Sequence, residues 1–111
     1  AGVGERLMKR GEIRWYKFQQ PDKKRPVVIL SRNSVLEHLS EVTIAPITAT
    51  VREIPSEVYL SKGDGLPKDC AINCDHIQTV PKAKIGALIT TLSPEQLFQL
   101  KKAVAFALEL F

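Results

Sequence analysis

Three places in the chain carry side chains suited to phosphoryl chemistry. Lys23-Lys24-Arg25 closes a polar stretch just before an apolar run. Thr48 and Thr50 end a second apolar run, two residues apart, so on a strand they share a face. Asp75 lies in a third strand-like segment. A guanidinium can grip a phosphate with two parallel N–H donors, a hydroxyl can hydrogen-bond it, and a carboxylate can accept a proton. The same residue types also serve on any solvated surface or turn. Spacing alone does not bring the three together.

Other chemistries find less support. The sequence contains no phosphate-cradling glycine loop, HExxH, nucleophile elbow or CxxC. Cys70 and Cys74 are four apart, which on a strand gives one face but too long a span for an easy disulfide. They read as small, partly buried thiols of a reducing cytosol. His38 sits in a polar segment and reads as surface. His76 follows Asp75, and strand neighbours point to opposite faces, so the two form no ready dyad. With two histidines far apart, no dedicated metal site is expected.

The 111 residues suit one domain, and 44% apolar residues suffice for one packed core. No apolar run approaches the length of a membrane span. The net charge of +4 is unevenly placed. Residues 1–32 hold nine basic and three acidic side chains, whereas residues 33–111 hold seven and nine. A one-sided basic field attracts phosphates or acidic protein segments, although ordinary solubilising charge would look the same in sequence. Residues 1–8 read as a flexible N-terminal extension with no signal peptide, and residues 9–111 as the domain.

The elements that must position these groups are mostly strands. Ile13–Phe18 is aromatic-rich, with Trp15 and Phe18 assigned to the core. Pro26–Leu30 is a β-branched run of the buried-strand type, and Pro26 fits its beginning. Ser31–Ser40 suggests a short helix or turn capped by Asn33 or Ser34. Val42–Thr50 is a strand interrupted by Pro46, which suggests an edge or bulge. Glu57–Leu60, Cys70–Val80 and Ile85–Thr91 supply the remaining strands, with a turn-rich Lys62–Pro67 between the first two. Ser93-Pro94-Glu95-Gln96 matches a capping box with proline at the first helical position. Leu97, Leu100, Val104, Ala107, Leu108 and Phe111 follow at helical spacing. The order predicts a mainly β fold, a small bent sheet or barrel closed by a C-terminal helix.

Lys9-Arg10-Gly11-Glu12-Ile13 and Lys24-Arg25-Pro26-Val27-Val28-Ile29-Leu30 resemble the opening of MazF/PemK-type toxins. Val42–Thr50, Leu66–Ile72, Asp75–Val80, Ile85–Leu88 and the closing helix continue the resemblance in order, over roughly residues 9–110. It implies an SH3-like β-barrel of the PemK/CcdB type, a cytoplasmic homodimer neutralised by a cognate antitoxin. It also implies metal-independent, sequence-specific cleavage of single-stranded RNA with no cofactor, leaving 2′,3′-cyclic phosphate and 5′-OH ends. Arg25 and Thr48 carry over as catalytic residues. The Arg-Cys-Asp run of PemK-type members reads Asn73-Cys74-Asp75 here, so Asp75 carries over and the arginine does not.

RNA supplies its own nucleophile, the 2′-OH, so the enzyme has to align it, stabilise the phosphorane and move protons. Arg25 is assigned to charge stabilisation, Thr48 to hydrogen bonding and Asp75 to the base. Gln19, Gln20, Lys23, Lys24 and Thr50 are expected along the RNA path, and Gln20, Asn73 and Gln78 at base edges. Two other readings compete. One is a gyrase poison of the CcdB type, which carries a C-terminal Trp-Gly-Ile; this sequence ends Leu108-Glu109-Leu110-Phe111 and has Trp15 as its one tryptophan. The other is a non-enzymatic β-barrel binding module.

Overall fold

The computed structural model describes residues 8–18 and 24–110. Seven strands, β1 (Glu12–Lys17), β2 (Lys24–Ile29), β3 (Glu41–Thr48), β4 (Glu57–Leu60), β5 (Cys70–Asn73), β6 (Gln78–Pro81) and β7 (Ile85–Thr91), form one antiparallel sheet. Its order is β4-β5-β3-β2-β1-β7, with β6 paired to the first half of β3. A four-residue helix α1 (Asn33–Leu36) joins β2 to β3, and α2 (Pro94–Leu108) follows β7. The mainly β class with a terminal helix is as expected, but the sheet bends without closing.

The β-branched run of β2 is central because both its faces are buried. Val28 enters a core with Ile13, Ala45, Ile47, Leu60, Ile72 and Leu100. Val27 and Ile29 face a second core with Tyr16, Leu36, Val42, Ile44 and Val80. Such a strand has no polar face to alternate with, hence its continuous apolar composition. Met8, placed by sequence in the N-terminal extension, is partly buried against the second core.

Strand β3 is not an edge, as Pro46 had suggested; it runs unbroken between β2 on one side and β6 then β5 on the other. The Leu30 amide donates to the Thr43 carbonyl at 2.9 Å, and the Thr43 amide to Ser31 Oγ at 2.9 Å. The odd-numbered residues of β3 therefore turn their backbone groups toward β2. Pro46 turns the other way, into the gap between β6, whose pairing ends at Ile44, and β5, whose pairing begins at Ile47. Its missing N–H falls where no ladder donor is needed.

The capping box of α2 forms as the sequence predicts. Ser93 Oγ accepts from the Gln96 amide at 3.1 Å, and Gln96 Oε1 from the Ser93 amide at 2.9 Å. Leu100 and Ala103 are buried, with Leu97, Val104 and Ala107 packed beside them. Leu108, read as part of this face, is instead exposed, because the helix ends there with Glu109 in the left-handed region. Phe111 lies outside the described residues. Gly11 (φ 89°), just before β1, packs against α2: a Cβ there would stand 2.8 Å from Leu97 Cδ2. At α1 neither expected cap forms. Asn33 Oδ1 accepts the Arg10 amide at 2.7 Å instead, tying α1 to the chain entering β1.

Candidate active site

The second proline of the sheet opens the site. Strand β2 begins at Lys24, so Pro26 is interior rather than initial. By the alternation set at Leu30 and Thr43, its backbone faces β3. Pairing of β2 with β3 accordingly stops at Val27↔Pro46, because Pro26 has no N–H for the next rung. The first residues of β2 stay paired to β1, through Tyr16↔Arg25 and Lys17↔Lys24. Between the released start of β2 and the end of β3 lies a groove of about 360 Å³. Its walls are Trp15, Lys24, Arg25, Pro26, Ile47, Thr48 and Ala49, with Leu66, Pro67 and Lys68 from the β4–β5 connection and Cys70 from the start of β5.

Carrying the β2–β3 register two residues past its last rung sets Arg25 opposite Thr48 on one face of the sheet. These residues, 23 positions apart in sequence, thus line one groove. Thr48 is held at the corner where β3 passes from β2 to β5, in register with Ala71. Its Oγ1 accepts the Thr50 amide at 3.1 Å. With that lone pair engaged, the hydroxyl proton is left to donate outward. Thr50 thereby contributes its backbone to the site, while its side chain is exposed.

The remaining expected site residues are elsewhere. Asp75 does not line the groove. It lies in a short 3₁₀ turn, Cys74–His76, not in a strand, and its Oδ2 accepts the hydroxyl of buried Ser56 at 2.5 Å. Asn73 caps that turn, accepting the Asp75 amide at 3.0 Å. Gln78 pairs with Ile44 on β6, four residues along β3 from Thr48, about 13 Å at the usual strand rise. Gln19, Gln20 and Lys23 lie outside the described residues.

Sequence reasoning missed the groove's apolar floor and its second wall. Trp15, assigned to the core, is only half-buried and lines the groove beside Pro26. Phe18 does pack inward, edge-to-face with Tyr16 at 4.7 Å between centroids. Strand alternation could have separated the two, since Tyr16 is buried on the face opposite Trp15. Of the eleven lining residues three are cationic and none acidic, so the lining carries a net positive charge.

Both cysteines are free and buried, as read. Burial, then Asp75 and Glu57, pushes the Cys74 thiol up to about 12, and burial also raises Cys70. Neither is a poised thiolate. His38 and His76 are exposed. Among the described residues no three His, Cys, Asp or Glu side chains come together in a metal-holding group. No helix among them is long and apolar enough to cross a membrane.

A bent antiparallel sheet with a terminal helix and a cationic groove at a proline-terminated ladder defines a small β-fold domain. The family model described as PemK-like, MazF-like toxin of type II toxin–antitoxin system matches residues 9–108. Endoribonuclease MazF3 of Mycobacterium tuberculosis is 42% identical over 91 residues, 82% of this chain and 88% of its own length. The solved Mycobacterium tuberculosis toxin MazF-mt6 superposes with a TM-score of 0.81 at 38% identity, over 88% of this chain and 96% of that one. An endoribonuclease from a mycobacterial species, solved in complex with its cognate antitoxin, gives 0.84 at 27% identity, over 94% and 97%. The chain belongs to the PemK/MazF-like toxin family.

Proposed function

We propose that the protein is an endoribonuclease toxin that cleaves single-stranded RNA at the Arg25–Thr48 groove. The observation that carries this reading is the placement of Arg25 across from Thr48 in a groove with no acidic lining. The 2′-oxygen attacks the adjacent phosphorus and loses its proton. The P–O5′ bond breaks, and the departing 5′-oxygen takes up a proton. The products are a 2′,3′-cyclic phosphate and a 5′-OH, and the nucleophile comes from the substrate, so the step calls for no metal. Arg25 offers two N–H donors to the non-bridging oxygens, on which charge builds. Thr48, its oxygen engaged by the Thr50 amide, donates to the same phosphate or to the 2′-oxygen. Trp15 and the prolines of the floor give an unpaired base an apolar surface to lie on, which favours single strands over duplex.

Asp75 has no part in this groove, so the reading gives it no base role. Sequence-specific cutting, a homodimeric state and a cytoplasmic location belong to the same proposal by family likeness. So does a cognate antitoxin, since one close structural relative was solved with its own. An acidic antitoxin tail would be drawn to the cationic groove and would occlude RNA directly.

The test is cleavage of an end-labelled RNA pool by purified protein in EDTA, with the cut ends mapped. Cyclic phosphate at the 3′ side, 5′-OH at the other, and loss of cutting on a single 2′-deoxy substitution are the expected results. Efficient cutting of the deoxy substrate would remove the 2′-OH as nucleophile. Competition between antitoxin and a non-cleavable RNA tests occlusion: undiminished RNA binding in the complex would defeat it.

A further inference from the structure

We propose that Lys68 is a catalytic residue: its ammonium binds the scissile phosphate from the wall facing β2 and stabilises the phosphorane together with Arg25. This rests on the groove being the RNA-cleaving site. Lys68 belongs to the β4–β5 connection, which otherwise supplies only Leu66 and Pro67 to the groove.

Lys68 lines the groove between two anchored neighbours. Leu66 and Cys70, two residues to either side, are both 5% exposed and anchored in the core. The adjacent Asp69 is engaged away from the groove. Its Oδ1 accepts the Lys62 amide at 3.1 Å, and a hydrogen bond from Tyr59 to Asp69 is the leading cause that raises the Tyr59 phenol. The nearest carboxylate in sequence is thus engaged by Lys62 and Tyr59, not by the Lys68 ammonium.

The connection is also held in place. Asp64 Oδ2 accepts the Ser61 amide at 2.7 Å and the Ser61 hydroxyl at 3.1 Å, which holds its carboxyl below the usual range. Gly65 follows in the left-handed region (φ 99°), where a Cβ would press on Thr90 of β7 at 3.1 Å. Lys68 is therefore presented by a fixed turn braced against the far edge of the sheet.

Charge bookkeeping at the transition state explains why a second wall is needed. As the O2′–P bond forms and the P–O5′ bond lengthens, the non-bridging oxygens carry more negative charge than in the ground state. Arg25 meets that charge from β2. A cation on the facing wall meets it from the other side, and its contribution grows with the developing charge, so it lowers the barrier more than it tightens substrate binding. Lys24 also lines the groove, next to Arg25 on the same strand, and is assigned to the RNA path, which leaves Lys68 as the cation of the facing wall.

Single-turnover cleavage of a fluorescent RNA by wild type, Lys68→Gln, Lys68→Arg and Lys62→Gln tests this. Lys62 lies on the same connection, exposed and outside the groove. Lys68→Gln is expected to lower kcat about tenfold to a hundredfold with KM moved less than about threefold. Lys68→Arg is expected to recover most of the rate, and Lys62→Gln to match wild type, with all four melting together. A Lys68→Gln kcat within twofold of wild type, or an effect confined to KM, would overturn the role of Lys68 while leaving the function intact. Absence of cleavage by wild type would instead overturn the function, and Lys68 with it.

Discussion

At the groove, Lys24, Arg25 and Lys68 meet no acidic partner among the lining residues. At the Cys74–His76 turn, polar groups bond to one another: Ser56 donates to one oxygen of Asp75, and Asn73 accepts the Asp75 amide. The start of β1 behaves like the turn. There Glu12 accepts from Arg14 Nε at 2.8 Å and from the Lys9 amide at 3.2 Å, while Arg14 Nη1 reaches the Gly86 carbonyl at 3.0 Å and ties β1 to β7. An arginine is open to a ligand where the fold leaves its donors unengaged, as at Arg25. Where the fold engages them, as at Arg14, it ties strands together.

The largest effect that follows is at Arg25. Arg25→Ala is expected to lower cleavage by about a hundredfold to a thousandfold, the usual loss for a transition-state donor, with an unchanged melting curve. Arg25 is exposed, so truncation opens no cavity. Cleavage near the wild-type rate would erase the distinction between the two regions.

Thr48→Val comes next. It keeps the β-branched shape and removes the hydroxyl, so a loss of about tenfold is expected, the worth of one hydrogen bond. Thr50→Ala is the matched control: the Thr50 backbone amide, not its side chain, touches Thr48, and cleavage should stay within about twofold.

Asp75→Ala sharpens the comparison from the structural side. It strands the hydroxyl of Ser56, which is 2% exposed, and should cost about 1–3 kcal/mol in denaturant unfolding while cleavage of folded protein stays near wild type. Lost cleavage at unchanged stability would move Asp75 into the catalytic set.

The smallest effect concerns Cys74. Its thiol is raised from 9.0 to about 12 in the folded chain. The unfolded chain thus releases that proton first as pH rises. The stabilisation is fully present below pH 9 and is lost between pH 9 and about 12. Cys74→Ala should flatten the fall in stability across that window, as read by chemical denaturation at a series of pH values.

Several of these features are local enough to read from the chain. The α2 cap is legible because Ser93, Pro94 and Gln96 satisfy one another within four residues. The burial of β2 is legible because Val27, Val28 and Ile29 leave no polar face. The chemistry-bearing residues Arg25 and Thr48 stand out by type and by family likeness.

What stayed hidden depended on partners distant in sequence. Pro46 looks like an interruption until β6 and β5 are seen to part beside it, and Pro26 like a strand start until its empty donor position is seen to face β3. The sequence by itself determined which segments are strands, where the helix begins and which groups could grip a phosphate, since those follow from propensity, capping and side-chain chemistry. Only the tertiary structure decided that Arg25, Thr48, Trp15 and Lys68 share one groove and that one oxygen of Asp75 accepts the Ser56 hydroxyl. Register and loop placement arise from contacts between segments, and a linear spacing does not carry them.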